Sequence, residues 1–249
     1  MNLQLLEYSK KIKLHTVDST SKYAAENSVE AGSWVIADEQ TAGRGRGSKT
    51  WHSEGDEKVI FSGKIRIENP LQPLSIFPLL VGYYTLLCIE EVFGKNETLS
   101  LKWPNDIYSG KKKLAGILID SSLQHKQYTI IMGIGINIYG KILTENTGNA
   151  TYLLTEPPFD AWKETFYKTL IDYLNRATLL LYENTESLNI LSEIYERSYL
   201  TGKSVRYKLN GLLSEAKVKG YTKAGFLIVE SAGQKEILMD TMPEFEVLS

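Results

Sequence analysis

Between Gln40 and Trp51 the chain reads QTAGRGRGSKTW, which sets Arg44, Arg46 and Lys49 among glycines at 43, 45 and 47. Glycine admits backbone conformations and close approaches that side chains forbid, and a guanidinium offers planar, bidentate bonds to carboxylate or phosphate. The segment has the make-up of a pliable anion clamp. Trp51 adds a stacking face for a base, a contact worth about 1–3 kcal/mol in nucleic-acid sites. The same composition suits a solvated basic turn or an RGG-like RNA contact, and the loop alone leaves these alternatives open.

Three more clusters carry candidate chemistry. In Lys102-Trp-Pro-Asn-Asp106, Pro104 favours an extended Trp103, and Asn105-Asp106 turn the chain, presenting an amide and a carboxylate at a strand end. That carboxylate suits Mg²⁺, a ribose or phosphate, or simply a turn. In Lys113-Leu-Ala-Gly116 a lysine enters an apolar strand, and Gly116 leaves room for a ligand against the backbone. Such a lysine either opposes carboxylate or phosphate charge or lies in solvent at the strand end. Gly133-Ile-Gly-Ile-Asn137 again permits close approach, and Asn137 either pairs with an adenine edge or is a satisfied buried amide. It is not the dinucleotide fingerprint, which needs a following helix.

Other chemistries lack their residues. His15, His52 and His125 show no metal-ligand spacing, and neither a nucleophile elbow nor a P-loop is present. Cys88 lies in a mostly apolar stretch without a His or basic neighbour, so it reads as a packed thiol rather than a nucleophile.

These clusters need strands and helices to hold them. The pattern predicts a helix over Lys22–Ala31, capped by a hydroxyl or Asp from Asp18-Ser-Thr-Ser21 and stopped by Gly32. Strands are expected at Ser33–Ala37, Val59–Ile67, Leu101–Trp103, Lys113–Asp120 and Gln127–Ile138, with a buried helix over Ser75–Phe93. Asp160–Glu183 carries Trp162, Phe166, Leu170, Leu174, Ala177 and Leu181 at helical spacing, an apolar stripe that belongs to the core. Beyond Tyr199 come short alternating runs, Ser204–Leu209, Glu215–Tyr221, Phe226–Glu230 and Glu236–Met239. They are broken at Asn210-Gly211, Ala224-Gly225 and Ala232-Gly233, as in a small β-barrel.

With 249 residues, 43% of them hydrophobic, the chain can bury a large core. Its 28 basic and 30 acidic residues leave a formal charge of -2, no global field for nucleic acid or an anionic membrane. Apolar stretches such as Tyr128–Ile138 fall short of the roughly 18–20 residues a membrane helix needs. The N-terminus lacks the uninterrupted apolar run of a secretory signal, and one cysteine cannot form an internal disulfide. The expectation is a cytoplasmic protein without membrane partners.

Taken in order, AGRGR with a following Trp, KWPND, KLAGIL and GIGIN closely resemble the catalytic part of biotin protein ligases, from about Asp18 to Asn137. The resemblance implies an α+β fold: a mixed sheet flanked by helices, akin to class II aminoacyl-tRNA synthetases, then an SH3-like barrel. Residues 1–199 would form the catalytic domain and 200–249 the barrel. It implies activation of biotin by ATP and Mg²⁺ to biotinyl-5′-AMP, then transfer to a lysine of a biotin carboxyl carrier domain. Residue by residue, Ser19, Thr20, Ser21, Gln40, Arg44, Gly45, Arg46, Lys113 and Gly116 fall against biotin. Trp51, Asn105, Asp106 and Asn137 fall toward ATP. Lys113, Arg46 and Asp106 take the catalytic roles, and Asp106 is the candidate metal ligand.

The loop departs from the family pattern at Gly47-Ser48-Lys49-Thr50, where Lys49 replaces the usual third arginine, and Ser21 replaces an asparagine. These changes bear on how tightly the adenylate is held and on contacts to biotin. No helix-turn-helix domain fits before Asp18, so a monofunctional enzyme without a DNA partner is expected, and a homodimer is compatible. The rival readings are a lipoate or octanoate ligase and a nucleic-acid-binding regulator that uses the basic loop.

Overall fold

The computed structural model describes residues 3–47, 49–51, 58–140, 149–183, 189–209, 211–240 and 245–248; Ser48, His52 and Asn210 lie outside them. The larger sheet takes its strands from β1 (Leu3–Gln4), β2 (Lys11–Val17), β3 (Trp34–Gln40), β4 (Lys58–Glu68), β5 (Leu99–Lys102), β6 (Asp106–Ser109), β7 (Lys112–Gln124) and β8 (Gln127–Asn137). Their order is β2-β3-β4-β8-β7-β6-β5, with β1 beside β4. Among the described strands of this sheet, β2 and β3 pair in parallel, joined across α1 (Thr20–Ala25), and the other pairs are antiparallel, so the sheet is mixed, as expected.

Strand alternation gives this sheet two faces. Along β8, Ile130, Met132, Ile134 and Ile136 enter the main core, while Gly133 and Gly135 fall on the opposite face, beside Ser62 and Gly116 respectively in the ladder. The core face is covered by α2 (Phe77–Phe93) and α3 (Trp162–Leu179). Every residue of the expected stripe from Trp162 to Leu181 is buried. By length and composition Leu74–Phe93 is apolar enough to cross a bilayer, more so than the stretch singled out from the sequence. Ten residues of α2 are buried, which makes it a core helix. Cys88 lies there, its thiol 3.8 Å from the Phe166 carbonyl and pushed well up in pKa by burial, the packed role expected of it.

On the other face, α1 sits over Val35 and Ile131 through Ala24. It ends at Ala25, six residues before the expected last residue Ala31, because the chain then wraps around a buried lysine. The Lys64 ammonium donates to the carbonyls of Glu26 and Val29, each at 2.7 Å, and burial lowers its pKa. The expected hydroxyl cap is also absent: Ser19 occupies the N-cap position, but its hydroxyl meets Ser21 Oγ at 3.0 Å instead.

A second, antiparallel sheet is built from β9 (Ser204–Leu209), β10 (Leu212–Tyr221), β11 (Leu227–Ser231), β12 (Gln234–Leu238) and β13 (Glu246–Val247), in the order β12-β11-β10-β9-β13. α4 (Asn189–Glu196) precedes it. The sheet docks by a turn on which Trp103 Nε1 donates to the Gly225 carbonyl at 2.9 Å. Gly225 has φ +78°, and a Cβ there would stand 2.8 Å from Ile76 Cα, so this close approach requires glycine.

Candidate active site

The α1 face of the larger sheet holds a cavity of about 110 Å³. Its floor is the pair Gly116 and Gly135, direct ladder partners, with Gly133 alongside. Because these positions alternate with core residues, the absent side chains open the pocket without loosening the packing behind it. Thr20, Ser21, Gln40, Arg44, Gly45, Arg46, Trp51, Asn105, Lys113 and Gly116, dispersed in sequence, all line this one space.

One end is neutral and tightly hydrogen-bonded. Thr20 donates from both its backbone N–H and its hydroxyl to Gln40 Oε1, at 2.8 and 3.0 Å. Its hydroxyl also lies 2.9 Å from Ser62 Oγ. Ser62 is fully buried on β4, and the sequence reading missed it. A hydroxyl amid the apolar run Val59-Ile-Phe-Ser62 was the available signal, since a buried polar group must find partners. Ser19 is buried too, but it backs Ser21 rather than lining the cavity.

The other end is charged. The glycine loop folds back on itself: Gly45 N–H donates to the Lys49 carbonyl and Trp51 N–H to the Gly43 carbonyl, both at 2.8 Å. Gly43 is required here, because a Cβ would meet the Trp51 carbonyl at 2.3 Å. Arg44 leaves the loop to pair with Asp120 at 2.9 Å, and Arg46 reaches Asn105 Oδ1 at 3.4 Å and the Asp240 carboxylate. Lys49 and Thr50 complete the rim.

Trp51 packs against the glycine floor. A Cβ at Gly135 would stand 2.4 Å from the indole, and one at Gly116 would stand 3.3 Å from it. Among the described residues the buried indole N–H has no acceptor, which costs about 1–3 kcal/mol until something supplies one. The Lys113 ammonium sits 5.8 Å from the ring centroid and 2.6 Å from Asp106 Oδ1.

Asp106 stands at a strand end, as expected, though just past the turn rather than in it. The turn is Trp103-Pro104-Asn105, and Asp106 begins β6, opposite Lys102 on one side and Gly116 on the other. From there its carboxylate holds Lys113 and does not itself line the cavity. Asn105 bridges the neighbouring strand, its Nδ2 donating to the Ile117 carbonyl at 2.7 Å. Asn137 also stands outside the lining: its amide donates to the Thr151 carbonyl at 3.1 Å, while Thr151 N–H donates to the Lys113 carbonyl at 2.9 Å. Asn137 thus pins the segment that flanks Lys113.

The described residues form no cluster that would hold a metal on protein side chains alone. Among the described residues no three His, Cys, Asp or Glu side chains gather, and Asp106 already faces an ammonium.

A model of the biotin/lipoate A/B protein ligase family matches residues 13–137. The chain is 38% identical over 126 residues to the bifunctional ligase/repressor BirA of Bacillus subtilis, covering 50% of this chain and 38% of that protein. It is 28% identical over 226 residues to the bifunctional ligase/repressor BirA of Escherichia coli, covering 88% and 69%. Among solved structures, biotin protein ligase from Aquifex aeolicus in complex with biotin and ATP superimposes with a TM-score of 0.77 at 25% identity, covering 97% of this chain and 99% of that one. The match to the first of these relatives thus spans about two fifths of its length.

Proposed function

The chain belongs to the biotin/lipoate A/B protein ligase family, and on that premise we propose that it activates biotin as biotinyl-5′-AMP with ATP and transfers it to a lysine. The observation that carries the proposal is the polarity of one pocket, neutral at Thr20–Gln40–Ser62 and cationic at Arg44, Arg46 and Lys113. Biotin has the same polarity, a cyclic urea at one end and a carboxylate at the other. Lipoate ends in a dithiolane without N–H donors, which would leave the buried hydroxyl and amide groups poorly used.

In this reading Thr20, Gln40 and Ser62 take the urea, and the glycine floor takes the rings and chain. Arg46 and Lys113 oppose the carboxylate and the α-phosphate. The carboxylate oxygen attacks the α-phosphorus, the bond to the bridging oxygen breaks, and pyrophosphate leaves. An acceptor lysine, as the free amine, then attacks the acyl carbon and AMP departs. The protein supplies position and a fixed cationic field, with Asp106 holding Lys113 in line. We assign the nucleotide to the side of Trp51, Asn105 and Asn137, and Mg²⁺ to ATP itself, carried on phosphate oxygens and water as part of the substrate. The acceptor in this proposal is a biotin carboxyl carrier domain, met in the cytoplasm.

The test offers the protein MgATP with an apo biotin carrier domain and an apo lipoyl domain, each with biotin, lipoate or octanoate. Intact-mass spectrometry should show biotin added to the carrier domain. Addition of lipoate or octanoate to the lipoyl domain, with no biotin transferred, would overturn the reading.

A further inference from the structure

Arg46 is the meeting point of three separate parts of the chain. It leaves the glycine loop, reaches Asn105 in the β5–β6 turn at 3.4 Å, and pairs with Asp240 just beyond β12 of the second sheet. The same β5–β6 turn holds that sheet through Trp103, whose Nε1 donates to the Gly225 carbonyl at 2.9 Å. The contacts close a circuit: loop to turn, turn to second sheet, second sheet back to loop. Two of its corners are rigid. Asn105 is fixed by its 2.7 Å bond to the Ile117 carbonyl, and Gly225 packs where a Cβ would stand 2.8 Å from Ile76 Cα.

We propose that Asp240 is a positioning residue for adenylate formation, reaching across from the second sheet to hold the Arg46 guanidinium at the mouth of the pocket. The inference rests on the reading of the pocket given above. A guanidinium carries five N–H donors in a planar fork, so with one terminal nitrogen held by Asp240 and the other reaching Asn105, the remaining N–H groups are left to face an anionic ligand. An arginine between glycines has few neighbours of its own to choose its rotamer, and Asp240 supplies that choice. The same contact makes closure of the glycine loop depend on the docked state of the second sheet.

The pair is partly exposed, with side chains 36% and 54% accessible, so its effect is modest and sensitive to salt. Asp240→Asn should lower the maximal rate of biotin-dependent ATP–pyrophosphate exchange about fivefold, leave the biotin KM and the melting temperature unchanged, and flatten the salt dependence of the rate. Asp240→Glu should restore most of the rate, which a merely structural role would not require. In the ligand-free protein, Asp240→Asn should also speed trypsin cleavage after Arg46 and Lys49, because the loop loses its tether. An Asp240→Asn protein with wild-type exchange and wild-type cleavage would overturn the proposal. The cleavage assay needs no substrate. If wild type shows no biotin-dependent exchange, the functional reading fails, while faster cleavage of the variant still supports the tether and unchanged cleavage still removes it.

Discussion

The two ends of the pocket are held by different physics. At the neutral end Thr20 and Ser62 are buried; the Thr20 hydroxyl meets Ser62 at 2.9 Å and Gln40 at 3.0 Å, and the Thr20 N–H donates to Gln40 at 2.8 Å, so the hydrogen bonds are made within the protein. At the charged end Arg44 pairs with Asp120, both 41% exposed, and Arg46 pairs with Asp240, with both arginines on a loop rich in glycine. Exposed pairs contribute about 0–1 kcal/mol each and weaken with salt, so an anionic ligand can take over the arginines at little cost. In the proposed reading the neutral end serves recognition and the charged end chemistry. Substitutions at the two ends should therefore separate KM from kcat.

The largest effect is expected at Lys113. Lys113→Ala removes the ammonium that Asp106 holds at 2.6 Å, and it should slow adenylate formation about 10²–10³-fold. The fold should persist, because the lysine side chain is 33% exposed. A folded Lys113→Ala protein with full activity would end the distinction drawn here.

Gly135→Ala comes next. Its Cβ would stand 2.4 Å from the Trp51 indole, and overpacking of this kind costs about 1–3 kcal/mol. Displacement of the indole should change tryptophan fluorescence and reduce activity about tenfold. An unchanged emission spectrum and rate would mean that the floor accepts a side chain.

Thr20→Val sharpens the comparison from the neutral end. It leaves Ser62 and Gln40 short of a hydroxyl, at about 1–2 kcal/mol, so the biotin KM should rise about tenfold with kcat nearly kept. A fall in kcat at constant KM would contradict the assignment of this end to recognition.

The smallest functional effect belongs to a control away from the pocket. Burial pushes the Glu90 carboxyl up, but the Arg197 guanidinium at 2.7 Å and the Asn96 N–H outweigh it and hold the group below its ordinary value. A carboxylate whose folded pKa is depressed contributes stability that is present above the unfolded value and lost as pH falls through the folded value. Glu90→Gln should thus lower the melting temperature at neutral pH, begin to lose that difference below the ordinary value of 4.5 and lose it as pH falls through the depressed folded value, and leave exchange kinetics alone. A difference that persists at low pH would show that the ion pair is not its source.

Local pattern was enough to find the loop, KWPND, KLAGIL and GIGIN, because each motif is a run of neighbours with unusual composition. The long strands and both core helices were legible for the same reason, through periodicity over many residues. What escaped depended on distant partners. Strand β2 alternates Lys11, Lys13 and His15 with Ile12 and Leu14, and it becomes an edge strand only by pairing with β3. Strand β6 is four residues long and hidden behind a proline turn. The early end of α1 depends on Lys64, far along the chain. Ser62 and Asp240 gained their places from the sheet ladder and from the docking of the second sheet, neither of which a single stretch of sequence displays.

The most direct measurement is ATP–pyrophosphate exchange in the absence of any acceptor protein, with biotin, lipoate or octanoate as the acid, for wild type, Thr20→Val and Lys113→Ala. The account predicts exchange with biotin alone, a curve shifted to higher biotin but with a similar plateau for Thr20→Val, and a collapsed plateau for Lys113→Ala. Exchange driven by lipoate or octanoate but not by biotin, or a full plateau in Lys113→Ala, would contradict it.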